Sequence, residues 1–204
     1  MQNKGKVTAI AAAIAVVIIG GGLFVANKNI QTREQQIAHG FEKIEKHLPP
    51  NVKQENVFSK GLFSSTGVYK LNYTEKGKTD SIVLDYKLEH GLAAWFGGDI
   101  KFNSTVKMVG DNFKDIKVTD PQWMVLDGNI KEDGSFDMKG VGSKAVVTAQ
   151  VKGDEASNLT VDPSNLIITY SKSSGEVKSE LVYPNITVSG KENGIIKNIK
   201  LATN

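Results

Sequence analysis

The chain has 204 residues, with 25 Lys and Arg against 22 Asp and Glu, 3 His and a formal net charge of +3. Hydrophobic residues make up 40%, which excludes a disordered chain. With no cysteine there is no disulfide, thiolate metal site, lipidated cysteine or cysteine nucleophile. The positive charge is not clustered: without Lys4 and Lys6, 23 basic residues stand against 22 acidic ones. Nucleic-acid binders need local phosphate-neutralising patches, so no nucleic-acid partner is expected.

Val7 to Val25 read VTAIAAAIAVVIIGGGLFV, with no charge among these 19 residues. As a helix the run would span ~28 Å at ~1.5 Å per residue, close to the ~30 Å hydrocarbon core of a bilayer. Its lipid-facing candidates are Val7, Ile10, Ile14, Val17, Ile18, Leu23 and Phe24. One reading is a cleavable signal peptide, with Gly20 and Gly22 at −3 and −1 of the cleavage site. The other is an uncleaved signal anchor over residues 1–27. The apolar run continues past the glycines through Leu23, Phe24 and Val25, beyond the roughly 7–15 residues of a signal-peptide core, which favours the anchor. Lys4 and Lys6 are nearly balanced by Lys28, Arg33 and Lys43 on the other side, so the positive-inside count alone decides little. The very short N-terminal tail favours a cytoplasmic N-terminus, with the bulk of the chain in the periplasm.

Residues 28–50 carry the next element. Ile30, Ile37, Phe41, Ile44 and Leu48 fall on one helical face, opposite Arg33, Glu34, Glu42, Lys43, Glu45 and Lys46. Pro49-Pro50 stops the pattern. This predicts a juxtamembrane amphipathic helix over about residues 28–48, most simply packed on the sheet C-terminal to it. Its mixed charge is unlike a strongly basic lipid-surface helix; pairing with a second copy is the homo-oligomeric alternative.

From Asn51 to the end the period becomes two. Tyr69, Leu71 and Tyr73 alternate with polar residues, as do Ile82, Leu84, Tyr86 and Leu88. Ile100, Phe102, Val106 and Met108 continue the pattern, then Met124, Leu126 and Ile130, Phe136 and Met138, Leu166, Ile168 and Tyr170, and Val177, Leu181 and Tyr183. Alternation of this kind means strands with one buried and one wet face. Turn dipeptides separate the runs, among them Lys76-Gly77, Asp133-Gly134, Asp162-Pro163, Ser174-Gly175 and Pro184-Asn185. The expected fold is mainly β: a transmembrane helix, a short amphipathic helix, then a long curved antiparallel β-meander over residues 51–204.

Candidate chemistry is sparse. His39 and His47 lie eight apart on the predicted helix, not at a metal-pair spacing, and His90 closes a strand before Gly91. No G-x-S-x-G elbow occurs, and Asp127, Asn129 and Asp133-Gly134 lack the glutamate that would complete a calcium loop. No catalytic residue, cofactor site or metal site is assigned. Leu92, Trp95 and Phe96 come after His90-Gly91 in a segment where a polar loop is expected. Such a segment must be buried as a crossover plug, or contact lipid or a partner.

Two short segments carry a resemblance. Lys60-Gly61-Leu62-Phe63-Ser64-Ser65 leads into a strand, and Leu88-Glu89-His90-Gly91 ends one. With the N-terminal apolar run and helix, they resemble the bacterial YdgA-like family, a group of unknown function, over roughly residues 1–130. Its motif positions here are Gly61, Phe63, Ser64, Ser65, His90 and Gly91. Family members carry Pro after H-G where this chain has Leu92, and are usually longer. The resemblance implies a Gram-negative envelope protein facing the periplasm and supplies no catalytic residue. The expected role is non-enzymatic binding or scaffolding beside the inner membrane. Its partners would be inner-membrane lipid, another envelope protein, or an acyl chain held along an apolar β-groove. An envelope hydrolase is the less favoured alternative.

Overall fold

The computed structural model describes Leu48 and most of residues 51–203. The anchor expected over 1–27 and, Leu48 apart, the helix over 28–50 lie outside the described residues. Leu48 itself packs against the core. Among the described residues helix is nearly absent, and no helix is long and apolar enough to cross a membrane.

Twelve strands form one antiparallel sheet. They are β1 (Val52–Ser59), β2 (Ser64–Glu75), β3 (Lys78–Glu89), β4 (Ile100–Val109), β5 (Ile116–Val118), β6 (Met124–Ile130), β7 (Phe136–Gly142), β8 (Ala145–Ala149), β9 (Ser157–Val161), β10 (Asn165–Tyr170), β11 (Val177–Ser189) and β12 (Gly194–Thr203). Their registers reveal a simpler plan. Asn165↔Val182 and Val161↔Ile186 lie on one unbroken register, so β9 and β10 are two halves of a single line along β11. β7 and β8 share one register along that line in the same way, through Asn165↔Val141 and Val161↔Ala145. β6 and β5 pair β7 and β8 in turn. The sheet is therefore a plain meander in which every line lies beside its sequence neighbour.

The interruptions align across the sheet. Continuing the register sets Pro163 opposite Pro184, and Pro184 opposite Asn198, which has φ 53°. Both Asp162-Pro163 and Pro184-Asn185 read as turns in the sequence. Neither is one: β11 runs straight through Pro184. The Asp162 N–H donates to the Asn185 carbonyl at 3.1 Å, and the Ser164 carbonyl accepts from the Gly142 N–H at 2.8 Å. The chain thus bonds to β11 before Pro163 and to β7 after it, and proline, with no N–H to give, fits the break between them. Proline's fixed φ is compatible with extended chain. Side chains also tie the break: Asn185 Nδ2 donates to Asp162 Oδ2 at 2.8 Å, and Lys144 lies 3.8 Å from Asp162.

The core occupies one face. Tyr86, Ser104, Leu126, Gly140, Leu166 and Leu181 are register partners on six successive lines, and Leu88, Phe102, Gly128, Met138 and Ile168 form the next row. Apart from the two glycines, whose partners crowd them, all these side chains are buried. Along these two rows the apolar face is packed, whereas Ile195, Ile196 and Leu201 of β12 stay exposed. Each row alternates bulk with space: Gly128 sits between Phe102 and Met138, and Gly140 between Leu126 and Leu166.

Turn chemistry fixes the hairpins. Gly77, Gly134 and Gly175 hold φ of 76°, 87° and 72° at the three tips the sequence marked. In the β6–β7 turn the Asp133 carboxylate accepts from Ser135 N at 2.7 Å and Ser135 Oγ at 2.8 Å. Ser135 Oγ in turn accepts from Lys172 N at 3.0 Å, joining this turn to the β10–β11 turn.

A Cβ at Gly128 would meet the Asp137 carbonyl oxygen and lie within 2.8 Å of Met138 Cγ. Gly128→Ala should cost about 1–3 kcal/mol in urea unfolding, the range for overpacking a tight core. The Ser135 donors hold Asp133 below its ordinary carboxylate range, backbone N–H first and hydroxyl second. A depressed folded pKa adds stability above the unfolded value of about 3.9, lost as pH falls through the lower folded value. Melting temperatures across pH 2–7 should show Asp133→Asn less stable than the parent at neutral pH and converging with it in acid.

Candidate contact site at one end of the sheet

The two motif segments, far apart in sequence, meet. Pairing of β2 with β3 sets Ser64 opposite Glu89 and Ser65 opposite Leu88. The Phe63 carbonyl then accepts from both His90 N, at 3.1 Å, and Gly91 N, at 2.9 Å. Ser65 Oγ lies 3.2 Å from His90 Nε2 and accepts from Gly61 N at 3.4 Å. Glycine is required at both bends: a Cβ on Gly61 would collide with the Ser64 carbonyl oxygen, and Gly91 has φ 49°. Of the motif residues, Gly61, Phe63, Ser65, His90 and Gly91 belong to this single knot; Ser64 opens β2 beside it.

A serine hydroxyl on an imidazole nitrogen is also the first half of a nucleophile–base pair. Here Ser65 is 1% and His90 4% exposed. At that burial the pair has no surface to offer a substrate, and its geometry is that of a strut between the β1–β2 loop and the end of β3.

On this strut stand four large apolar side chains. Leu62 is 62%, Phe63 52%, Leu92 63% and Phe96 89% exposed. A plug built from Leu92 and Phe96 is therefore excluded; Trp95 lies outside the described residues. The reason is room: Leu88, Ile100 and Phe136, each at most 1% exposed, already close this end of the core. Sequence reasoning singled out Leu92 and Phe96 because loops are rarely so apolar. It missed Leu62, and it treated Phe63 only as a motif position, because the β2–β3 register that joins the two loops is a long-range property. The polar surroundings are balanced: Lys87 Nζ lies 2.7 Å from Glu89, and that hydrogen bond, then the charge, holds Glu89 below its usual range.

A second feature lies on the outer face of the sheet. Val57, Val68, Asp85, Thr105 and Val125 form one cross-strand row, the floor of a shallow trough of about 490 Å³. Lys107 Nζ donates to Asp85 Oδ2 beside it at 2.8 Å. No group of His, Asp and Glu suited to a metal ion occurs among the described residues.

Among the described residues, fold and site define a mainly β protein whose distinctive residues build a braced, exposed apolar tip. The chain belongs to the family described as bacterial protein of unknown function (DUF945), which it matches over residues 3–204. Comparison with curated proteins and with solved structures found no match.

With Ser65 and His90 as a strut, removing the hydroxyl takes a buried hydrogen bond from the ring. Ser65→Ala should lower unfolding stability by about 1–3 kcal/mol, whereas Leu62→Ser, at an exposed position, should stay within about 0.5 kcal/mol of the parent. Urea unfolding of both variants checks the contrast.

Proposed function

We propose that the protein is an inner-membrane-anchored, periplasm-facing module of the YdgA-like type that works by binding or scaffolding in the cell envelope. The observation that carries this is the tip. The residues of both resemblance motifs are spent on holding two loops together, and the loops present Leu62, Phe63, Leu92 and Phe96 to solvent. Large apolar side chains grouped on a rigid base are the usual mark of a contact surface. The uncharged run Val7–Val25 supports the anchor, and the buried Ser65–His90 pair weighs against hydrolysis.

A second function, holding an apolar ligand along a β-groove, draws on the outer trough and its Val57, Val68 and Val125 floor.

A photo-crosslinking residue placed in cells at Leu62 or Leu92 should give discrete adducts, with none at Lys78 on the far end of the sheet. The protein should stay in membranes after carbonate washing. Adducts at Val68 but not at the tip would favour the ligand-binding alternative. Loss from membranes in carbonate would remove the anchor.

A further inference from the structure

We infer that the tip carrying Leu62, Phe63, Leu92 and Phe96 seats in a lipid bilayer, giving the protein a second membrane contact besides its N-terminal segment. This rests on the anchored, envelope-facing function proposed above and names the partner of the same site.

Three observations favour a bilayer over a protein. First, the apolar side chains stand on loops at the end of a sheet, not around a groove. Leu62, Leu92 and Phe96 are each more than three-fifths exposed, a protruding shape that a deformable apolar phase accepts without matching contours. Second, the loop backbone is hydrogen-bonded where the two loops meet. Entry into hydrocarbon is barred to peptide groups lacking hydrogen bonds. Here the Phe63 carbonyl takes two N–H donors, from His90 and Gly91, and the Gly61 N–H is taken by Ser65 Oγ. The acidic neighbour Glu89 is matched by Lys87 and lies across from Lys101.

Third, the chain itself supplies the bilayer and the reach. The tip lies at the end of the sheet opposite Asn51, where the N-terminal part joins. Residues 26–50 separate the apolar run from β1. Fully extended they reach about 85 Å, and as helix about 37 Å. The 12-residue strands β2 and β3 are about 40 Å long at ~3.3 Å per residue. The extended tether exceeds that length, so the far end of the sheet can return to the membrane surface. Phenylalanine and leucine on such a tip are side chains that partition into the headgroup–acyl boundary.

The absence of cysteine makes the test direct. Full-length protein carrying Leu62→Cys, Leu92→Cys or, as control, Lys78→Cys is labelled with an environment-sensitive dye. It is then reconstituted into phosphatidylethanolamine–phosphatidylglycerol vesicles containing brominated lipid. Quenching at 62 and 92 should exceed that at 78 several-fold. Adding Leu92→Asp and Phe96→Asp should abolish the excess at 62 while leaving the melting temperature unchanged. Equal quenching at all three positions overturns the bilayer contact. If protein adducts at Leu62 or Leu92 persist in cells in that case, the binding function stands with a protein as occupant. If those are missing too, both proposals fail.

Discussion

Side chains on a strand alternate between faces, so a slip of one residue between β3 and β4 would set Leu88 opposite Lys101 or Asn103 and turn Phe102 out to water. The registers are correct as a set or not at all. The core rows run across successive lines, and each large residue meets either a large partner or a glycine left to receive it. Gly128 and Gly140 are the complement of Phe102, Met138, Leu126 and Leu166. A sheet whose rows interlock in this way has little freedom to shift pairing, and that fixity is passed to its ends.

The tip inherits it. Ser65 and His90 are 25 residues apart and are neighbours only because β2 and β3 keep register over twelve pairs. Once they meet, a buried hydroxyl and imidazole hold the loops from below while the Phe63 carbonyl holds them side by side. Four apolar side chains can then remain in water without the loops collapsing to hide them. Residues that at first suggest chemistry serve support, and residues that suggest a core stay exposed.

Much of the fold was legible because period-two alternation and glycine turns are local signals. Lys76-Gly77, Asp133-Gly134 and Ser174-Gly175 each turn where the dipeptide says. Pro163 and Pro184 misled because their meaning depends on what lies opposite. A proline facing a proline at the break between two half-strands stays in line, and nothing within ten residues of either announces the other. The tip was half legible. Leu92 and Phe96 stood out in a segment expected to be polar, whereas Leu62 sits in a glycine-led bend and gained significance only when the β2–β3 ladder brought the two loops together. Their exposure also depends on core volume already taken by Ile100 and Phe136, which alternation alone does not measure.

The meander order has a kinetic side. Each line's partner is the line just before it, so closing every ladder requires only a short loop, and relative contact order stays low for an all-β chain. A polypeptide emerging N-terminus first can lay β2 on β1, then β3 on β2, without waiting for a distant segment. The knot at Gly61 and His90 would be tied when the third line arrives, early in that succession. Apart from the outer edge of β1, only the latest line to arrive would offer an unpaired edge at any moment, which narrows the interval for wrong partners to add to it.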